Sequence, residues 1–378
     1  MHYFEYATID TTLYEVSSSM NTGLDEIIEI RKDMNDDGSV ITVTRGLIKF
    51  DLTYISSSIN SGLISNPTYY LNLYDANSRG LSTSQKLYAF PVSQSWDNGS
   101  GRLDSNPGIE DGAGWRWKDN STKRSQWSNT ISGSGGTWFS GSSGKYSLEA
   151  SQSFTQDAAD VRMDVTGIVN NWIYSGSSYT NEGFMLKRSG SIGNTDSGSS
   201  DAEGNTTRYG TFSFFGRETH TVYQPKLEVV WNDSKWATGS LSALSSDNLA
   251  DMVFYMRGFR PEYKEDSKIK FRLVGRERYP EATYSTGQYS TGYSTAKYLP
   301  SGSTYYQIRD AYTDEVIIPF GSGSVISCDS TGNYFNFWMK GLQSERFYKI
   351  EYKVVSGSGT SDESIQFFDE KLSFKVVR

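Results

Sequence analysis

Residues 46–52 read Gly-Leu-Ile-Lys-Phe-Asp-Leu, and this stretch carries the pattern that decides the fold class. From Ile48 to Leu52, apolar side chains alternate with Lys49 and Asp51. A β-strand points successive side chains to opposite faces, so one face can be buried while the other stays in water. The stretch therefore predicts a strand that runs through Leu52 and covers a hydrophobic core.

The same alternation recurs along the chain. Its apolar members are Ile28 and Ile30; Tyr69, Leu71 and Leu73; Val161, Met163 and Val165; Leu227, Val229 and Trp231; Ile269, Phe271 and Leu273; Tyr348, Ile350, Tyr352 and Val354; and Leu372, Phe374 and Val376. Charged neighbours such as Lys226 and Glu228 are expected on the wet faces. Aromatic residues make up 14% of the 378 residues, with 36 Gly and only 8 Pro, which favours short strands joined by polar turns. We expect an all-β protein.

The alternation stops between two β units. Residues 233–247 are polar and rich in Ser, as in a linker. The sequence therefore predicts an N-terminal domain over 1–232, a linker over 233–247 and a smaller, sandwich-like C-terminal β domain over 248–378. Within the first domain, residues 97–144 combine Gly, Ser and Asp with several Trp residues and are expected to form an ordered insertion pinned by aromatic side chains. The one predicted helical turn is Gly167–Trp172.

Charge and targeting signals exclude several classes. The chain has 44 acidic and 36 basic residues, a net charge of −8, which argues against nucleic acid as a partner. No stretch reaches the roughly 20 apolar residues of a transmembrane helix, so membrane insertion is not expected. The start lacks the basic and apolar regions of a secretory signal. We expect synthesis in the cytoplasm and use without export.

Residues for catalysis or cofactor binding are scarce. Nucleophilic triads and zinc sites draw on His and Cys, and the chain has only His2, His220 and Cys328. His2 is expected at a frayed end and His220 in a polar loop. No phosphate-binding Gly-rich motif occurs, so no cofactor is expected. A glycosidase needs only two carboxylates and stays an alternative, although no acid lies in a recognisable signature. We expect a non-enzymatic protein.

One segment matches half of a calcium-binding loop. Asp33–Gly38 has the order D-x-N-x-D-G, which places oxygen ligands around a tight turn. Position twelve of such a loop would be Thr44 in place of the usual Glu. Because both flanks resemble strands, a β-hairpin turn is the other interpretation.

Separated motifs in the first domain share an order and spacing. They are Asp10–Tyr14, Asn21–Gly23, Gly46–Leu52, Trp96, Gly112–Trp115, Met163–Thr166 with Val169 and Trp172, Asn181–Leu186 and Pro225–Val229. Together they resemble the DNRLRE-type β-sandwich, a jelly-roll module related to carbohydrate-binding modules. The resemblance implies a jelly-roll β-sandwich over 1–232, in which Trp172 caps one end and Asn181 and Gly183 supply turn geometry.

A second set of motifs lies in the C-terminal domain. The segments are Tyr298–Pro300, Tyr305–Asp310, Ile317–Phe320, Cys328–Ser330, Asn333–Phe335 and Glu345–Ile350. They resemble the C-terminal part of structural proteins of tailed bacteriophages. The resemblance implies a virion protein that works by assembly with other virion proteins and with copies of itself.

Two groups of side chains are candidates for an interface. One is the repeated Tyr-Ser-Thr run, whose tyrosines are Tyr284, Tyr289, Tyr293 and Tyr298. They could pack against a neighbouring subunit, stack on sugar rings or decorate a surface loop. The other is the basic series Lys268, Lys270 and Arg272, which shares the wet face of one strand and could dock on an acidic protein surface or simply be solvated.

The tryptophans of the insertion allow two interpretations. Trp115, Trp117 and Trp138 could anchor the loop or form a platform for sugars. Taken together, the sequence predicts a non-enzymatic structural component of a tailed-bacteriophage virion, as capsid decoration, in the neck or tail, or associated with a fibre. The alternative is a carbohydrate-binding or adhesion module that recognises a cell-surface glycan. A polysaccharide-degrading enzyme is the third possibility.

Overall fold

The computed structural model describes residues 1–34, 41–81, 84–106, 108–121, 124–128, 135–143, 146–155, 160–188, 203, 208–244, 251–278, 296–356 and 363–378. The chain is all-β, as the sequence predicts. Strands account for 48% and helices for 9%, and the described part contains two α-helices. The chain divides into two compact units. The N-terminal unit comprises Phe4–Leu63 and Thr68–Val229, and the C-terminal unit comprises Met1–Tyr3, Ile64–Pro67 and Val230–Arg378.

The first fourteen strands are β1 (His2–Tyr14), β2 (Ile27–Met34), β3 (Ile41–Phe50), β4 (Thr68–Leu73), β5 (Gln85–Pro91), β6 (Trp117–Asp119), β7 (Ser125–Gln126), β8 (Ser142–Ser143), β9 (Tyr146–Ser147), β10 (Ala150–Phe154), β11 (Val161–Asp164), β12 (Phe184–Lys187), β13 (Gly210–Phe215) and β14 (Lys226–Val230). The remaining strands are β15 (Ser242–Ala243), β16 (Met252–Arg257), β17 (Glu262–Lys264), β18 (Lys268–Glu277), β19 (Lys297–Tyr298), β20 (Thr304–Asp310), β21 (Val316–Ile318), β22 (Ser327–Asp329), β23 (Gly332–Trp338), β24 (Phe347–Ser356) and β25 (Ser364–Val377). The α-helices are α1 (Thr53–Asn60) and α2 (Thr166–Tyr174), and short 3₁₀ turns cover Gly176–Ser178, Ser322–Ser324 and Met339–Gly341.

Strands of the N-terminal unit form a ten-stranded sheet with the order β10-β5-β12-β3-β1-β14-β4-β11, while β2 joins β3 to β13. The alternating residues face its core: Ile48 and Phe50 are at most 1% exposed. Phe184 packs between Phe50 and Trp172, at ring-centroid distances of 6.1 and 4.8 Å. The prediction that Lys226 and Glu228 lie on a solvent-exposed face of β14 is wrong, because both side chains are also buried. The Lys226 ammonium lies 5.7 and 5.3 Å from the Tyr6 and Tyr74 rings, and Glu228 makes a 2.9 Å salt bridge with Arg162, so neighbouring side chains cover this face.

Both α-helices begin after an Asp whose carboxylate accepts a hydrogen bond from the backbone N–H of the Thr two residues later. Strand β3 ends at Phe50, so the strand predicted through Leu52 is too long. The Asp51 carboxylate accepts hydrogen bonds from the backbone N–H and hydroxyl of Thr53, at 2.9 and 2.6 Å, and α1 follows. In the same way, Asp164 accepts from the Thr166 N–H at 2.9 Å before α2. These bonds satisfy donors at the helix start. The sequence predicted a turn within α2 but missed α1.

Asn181 and Gly183 shape the turn before β12. The Asn181 amide donates to the Phe50 carbonyl at 2.8 Å, and its oxygen accepts from the Gly183 N–H at 3.2 Å. Gly183 has a φ of +90°, and a Cβ there would lie 2.4 Å from the Ile48 carbonyl oxygen. Glycine is therefore required at this position because of both backbone conformation and space.

The described part of the 97–144 insertion is held by aromatic side chains. Trp115 and Trp127 are 5% and 6% exposed and belong to a core that includes Leu13, Leu47 and Met185. The Trp127 indole donates to the Gly114 carbonyl at 2.9 Å. Trp115 is thus placed as a loop anchor and offers no open ring face for a sugar.

The C-terminal unit is a sandwich of two sheets. One has the order β16-β18-β23-β22, and the other has the order β17-β25-β24-β20-β21. Aromatic pairs join them face to face, namely Phe254–Phe368 at 4.4 Å, Tyr306–Phe335 at 4.1 Å and Phe271–Phe374 at 6.1 Å. The chain ends in β25, a paired strand as predicted, since β25 pairs with both β24 and β17.

The unit boundaries differ in detail from the domains read from the sequence. The described part of 233–247 belongs to the C-terminal unit, where β15 pairs with β19 and Trp236 bridges to Cys328. Met1–Tyr3 also belongs to this unit. The terminal ammonium of Met1 donates to the Trp231 carbonyl and lies 3.0 Å from the Asp233 carboxylate. His2 is only 2% exposed, so the prediction that this residue lies at a frayed chain end is wrong.

Candidate functional site

The basic series lies on β18, on the face opposite the buried Phe271. Lys268 and Lys270 are exposed and Arg272 is partly exposed. The register places these cations next to strand β23 on the same face, because Lys268 pairs with Trp338 and Arg272 pairs with Tyr334. Alternation along the strand therefore produces the shared face that the sequence predicts. We call this surface the cationic face.

A carboxylate and two aromatic rings hold the cations of this face. Asp329 on β22 accepts from the Arg272 guanidinium at 2.6 Å and from the Lys270 ammonium at 2.9 Å. The hydrogen bond from Arg272 is the largest cause that keeps the pKa of Asp329 well below its usual range; burial opposes it, and the hydrogen bond from Lys270 adds to it. The Lys270 ammonium lies 3.7 Å from the Tyr334 ring centroid, and the Lys268 ammonium lies 5.2 Å from that of Trp338. The side chains are thus preorganised before any partner binds.

The cationic face extends onto the edge strand β16. Arg257 pairs directly with Arg272, and Val253 pairs with Arg276. Across the described strands β16, β18, β22 and β23, this face carries five basic side chains and one carboxylate. The basic residues are Arg257, Lys268, Lys270, Arg272 and Arg276, and the carboxylate is Asp329. The face is therefore positive even though the whole chain has a charge of −8.

The tyrosine run is only partly within the described residues. Tyr284, Tyr289 and Tyr293 lie outside them. Tyr298 forms part of β19 and is partly buried, with its ring 6.0 Å from that of Trp236 in an edge-to-face arrangement. Its placement is that of a side chain packed within the C-terminal unit.

Sequence reasoning missed a group of buried cations in the N-terminal unit. Arg45, Lys187 and Arg188 are at most 1% exposed, and Lys32 is fully buried. Arg45 makes a salt bridge of 2.7 Å with the buried Glu203, and the Lys187 ammonium lies 3.7 Å from the same carboxylate. Alternation offered a partial signal, because Lys32 lies two residues after Ile30, and Arg45 lies two residues from both Val43 and Leu47, on the apolar face of each strand.

Aromatic rings and one carboxylate stabilise this cluster. The Arg45 guanidinium lies 4.8 Å from the Trp115 ring and 5.0 Å from the Trp138 ring. Burial by itself would raise the pKa of Glu203, but the charges of Arg45 and Lys187 outweigh it and lower the pKa. Burial lowers the pKa of Lys32 to about 8. The cluster is a structural ion network that removes basic groups from the surface.

A cleft of about 790 Å³ lies beside the two helices of the N-terminal unit. Its lining combines the aromatic side chains of Phe50 and Trp172 with small polar groups of α1 such as Ser56 and Asn60. Trp172 is 8% exposed. The exposed side chains of Ser57 and Asn60 give this open cleft hydrogen-bonding groups that a polar ligand could use.

The remaining sequence candidates have structural roles where they are described. Strands β2 and β3 pair antiparallel on either side of residues 35–40, as the hairpin interpretation predicts, while the turn itself lies outside the described residues. Asp33 pairs with Arg208 at 2.5 Å. Among the residues that the structure describes, no three His, Cys, Asp or Glu side chains come together as a metal-binding group. No described helix has the length and hydropathy needed to cross a membrane.

Comparisons with known proteins give no family. No protein-family model matches the chain, and no curated protein matches it. Among solved structures, it is similar to an FMN-binding beta-glucuronidase from Facaelibacterium prausnitzii L2-6, with 9% identity over 91% of this chain. The chain spans only 39% of that protein, and the TM-score is 0.14. A TM-score this low carries no argument about fold or function.

Proposed function

We propose that this chain is a non-enzymatic structural component of a tailed-bacteriophage virion, and that its cationic face docks on an acidic surface of a neighbouring protein. The resemblance of the C-terminal segments to virion structural proteins supports the proposal that this chain is a virion component. The observation that carries the docking proposal is the geometry of Lys270 and Arg272, which are held together by Asp329. Preorganised charges lose less side-chain entropy on binding than mobile ones, and complementary charges steer the encounter.

The arrangement of the rings favours a protein partner over a sugar at this face. Sugars stack on open aromatic faces, whereas Tyr334 is 9% exposed and the Lys270 ammonium lies over its ring. Lys268 lies over the ring of Trp338. Because the cations take the positions that a sugar ring would need, the face presents charge to a partner. An acidic protein surface matches that chemistry.

The test uses virions assembled with variant proteins. Mass spectrometry of purified wild-type particles is expected to detect the chain. The double charge reversal Lys270→Glu with Arg272→Glu is expected to reduce its incorporation by roughly tenfold or more, since like charges would then face the partner. The matched control reverses Lys353 and Lys371, which lie on the other sheet of the same unit. Absence of the wild-type chain from intact particles, or equal incorporation of both variants, would refute the proposal.

The cleft beside α1 and α2 supports a second candidate, namely recognition of a cell-surface glycan. The observation that favours this candidate is the row of polar side chains on α1, namely Ser56, Ser57 and Asn60, whose hydroxyl and amide groups can bond to sugar hydroxyls. A glycan array tests it with the wild type and with Ser56→Trp, which fills the cleft. Signals that the wild type gives and the filled variant lacks would support glycan binding. No signal, or a signal that Ser56→Trp leaves unchanged, would refute a glycan site in the cleft. The variant Trp115→Ala is unsuitable for this purpose because Trp115 is a core residue.

A further inference from the structure

The net charge of the chain is distributed unevenly. The N-terminal unit holds 26 acidic and 18 basic residues, which gives −8, while residues 230–378 hold 18 of each and have no net charge. Met1–Tyr3 and Ile64–Pro67 contain no Asp, Glu, Lys or Arg. The whole negative charge of the protein therefore belongs to the N-terminal unit, and the cationic face belongs to the C-terminal unit.

Burial increases this difference at the surface. Among the described residues of the N-terminal unit, five basic side chains are buried, namely Lys32, Arg45, Lys187, Arg188 and Lys226. Three of its described acids are buried, namely Asp10, Glu203 and Glu228. Among the described residues, burial removes more bases than acids from contact with water. The charge at the surface of the described part is therefore more negative than the amino-acid composition alone indicates.

One part of that surface is especially rich in acids. Residues 97–106 and 108–111 pack on residues 21–26 through backbone hydrogen bonds from Asn21 to Ile109 and from Leu24 to Gly101. These segments hold six acids and one base. The acids are Asp25, Glu26, Asp97, Asp104, Glu110 and Asp111, and the base is Arg102. Burial raises the pKa of Asp25, and the charges of Asp104 and Glu29 contribute to the increase. We call this surface the acidic loop pair.

We propose that the acidic surface to which the cationic face binds is the acidic loop pair on a second copy of this chain. This inference rests on the proposed function and names its partner. The two surfaces are different, so the contact is head-to-tail and can repeat to form rings or open filaments. Head-to-tail assembly from a single kind of chain needs a positive and a negative surface on that chain, and this chain carries both.

The experiment measures self-association of the full chain by sedimentation velocity. In about 50 mM salt the wild type is expected to associate with increasing concentration, and in about 500 mM salt the apparent dissociation constant is expected to rise by at least tenfold, because salt screens exposed charges. Two variants reverse one surface each. The face variant carries Lys268→Glu, Lys270→Glu and Arg272→Glu, and the loop variant carries Asp97→Lys, Asp104→Lys and Glu110→Lys.

Mixing the variants provides the decisive result. Each alone is expected to stay monomeric, since both of its surfaces have the same sign. An equimolar mixture is expected to associate, because each variant supplies the charge that the other has lost, and this recovery also shows that both are folded. The control that reverses Lys353 and Lys371 should associate like the wild type.

The outcomes separate this inference from the proposed function. A wild type that stays monomeric in low salt, or association that neither variant changes, would overturn the second copy as partner. If virion incorporation still depends on Lys270 and Arg272 in that case, the proposed function stands and the acidic partner is a different protein. If incorporation does not depend on them, both proposals are refuted.

Discussion

Asp10 is a carboxyl group buried in strand β1, 1% exposed. Its Oδ2 accepts from the backbone N–H of Arg217 at 2.5 Å. Burial raises the pKa of Asp10 to about 7, against the opposing effect of that hydrogen bond. The folded protein therefore keeps this proton across a pH range in which the unfolded chain, with a pKa of about 3.9, releases it.

The sign of the pH dependence follows from proton linkage. Between about pH 4 and 7 the folded state binds more protons at Asp10 than the unfolded state, so the stability contributed by this group falls as pH rises. Asp10→Asn keeps an acceptor for Arg217 but does not titrate. The wild type is expected to lose about 1 kcal/mol of unfolding free energy per pH unit relative to Asp10→Asn between pH 5 and 7.

Urea denaturation of both proteins at several pH values checks this expectation. The control is Leu63→Ala, which changes an exposed side chain and removes no titratable group, so its difference from the wild type should be constant. A difference between wild type and Asp10→Asn that does not change with pH would contradict the raised pKa.

Glu203 gives a second prediction for a single residue. Its carboxylate is buried against Arg45 and Lys187, and removing one member of a buried ion network leaves the other charges without compensation. Glu203→Gln is expected to lower the unfolding free energy by about 3–5 kcal/mol. The control is Glu182→Gln, whose partner Lys49 at 2.9 Å is partly exposed, with an expected cost of about 1 kcal/mol or less. Equal losses in denaturant titrations would contradict the buried network.

At the scale of elements, the two helices share the order Asp-x-Thr after a strand, in Phe50-Asp51-Leu52-Thr53 and Met163-Asp164-Val165-Thr166. The middle residues Leu52 and Val165 are buried, while the Asp side chains hold the first turns. Asp51→Ala and Asp164→Ala are each expected to cost about 1 kcal/mol, whereas the Asn variants keep the acceptor and most of the stability. Thermal denaturation measures both series. An Asn variant as unstable as its Ala counterpart would show that the carboxylate charge matters more than the hydrogen bond.

At the scale of the molecule, each unit has its own aromatic core. Phe184 contacts Phe50 and Trp172 in the N-terminal unit, and Phe335 contacts Phe271 and Tyr306 in the C-terminal unit. We expect two calorimetric transitions. Phe184→Ala and Phe335→Ala should each cost about 3–5 kcal/mol in one transition only, because the cavity each creates lies in one core. A single transition that both variants lower equally would contradict independent cores.

The sequence alone determined the fold class and several faces. Alternation has a period of two, and this local property of the strand backbone assigns Phe271 to the core and Lys270 to the wet face without knowledge of any partner strand. The helical turn before Trp172 and the glycine at position 183 are local in the same sense, since they depend on neighbouring residues and on φ. The strand pattern failed at Leu52, where the Asp51 hydrogen bond to Thr53 begins a helix.

Only the tertiary structure decided which strands become neighbours. Lys226 is buried against the rings of Tyr6 and Tyr74, and Glu228 is buried against Arg162, so residues far apart in the chain cover both side chains. The same holds for Asp329, which is 57 residues from Arg272 in sequence but 2.6 Å from its guanidinium. Glu203 reaches Arg45 across 158 residues. Such contacts depend on how the whole chain folds back on itself, so local periodicity carries no information about them.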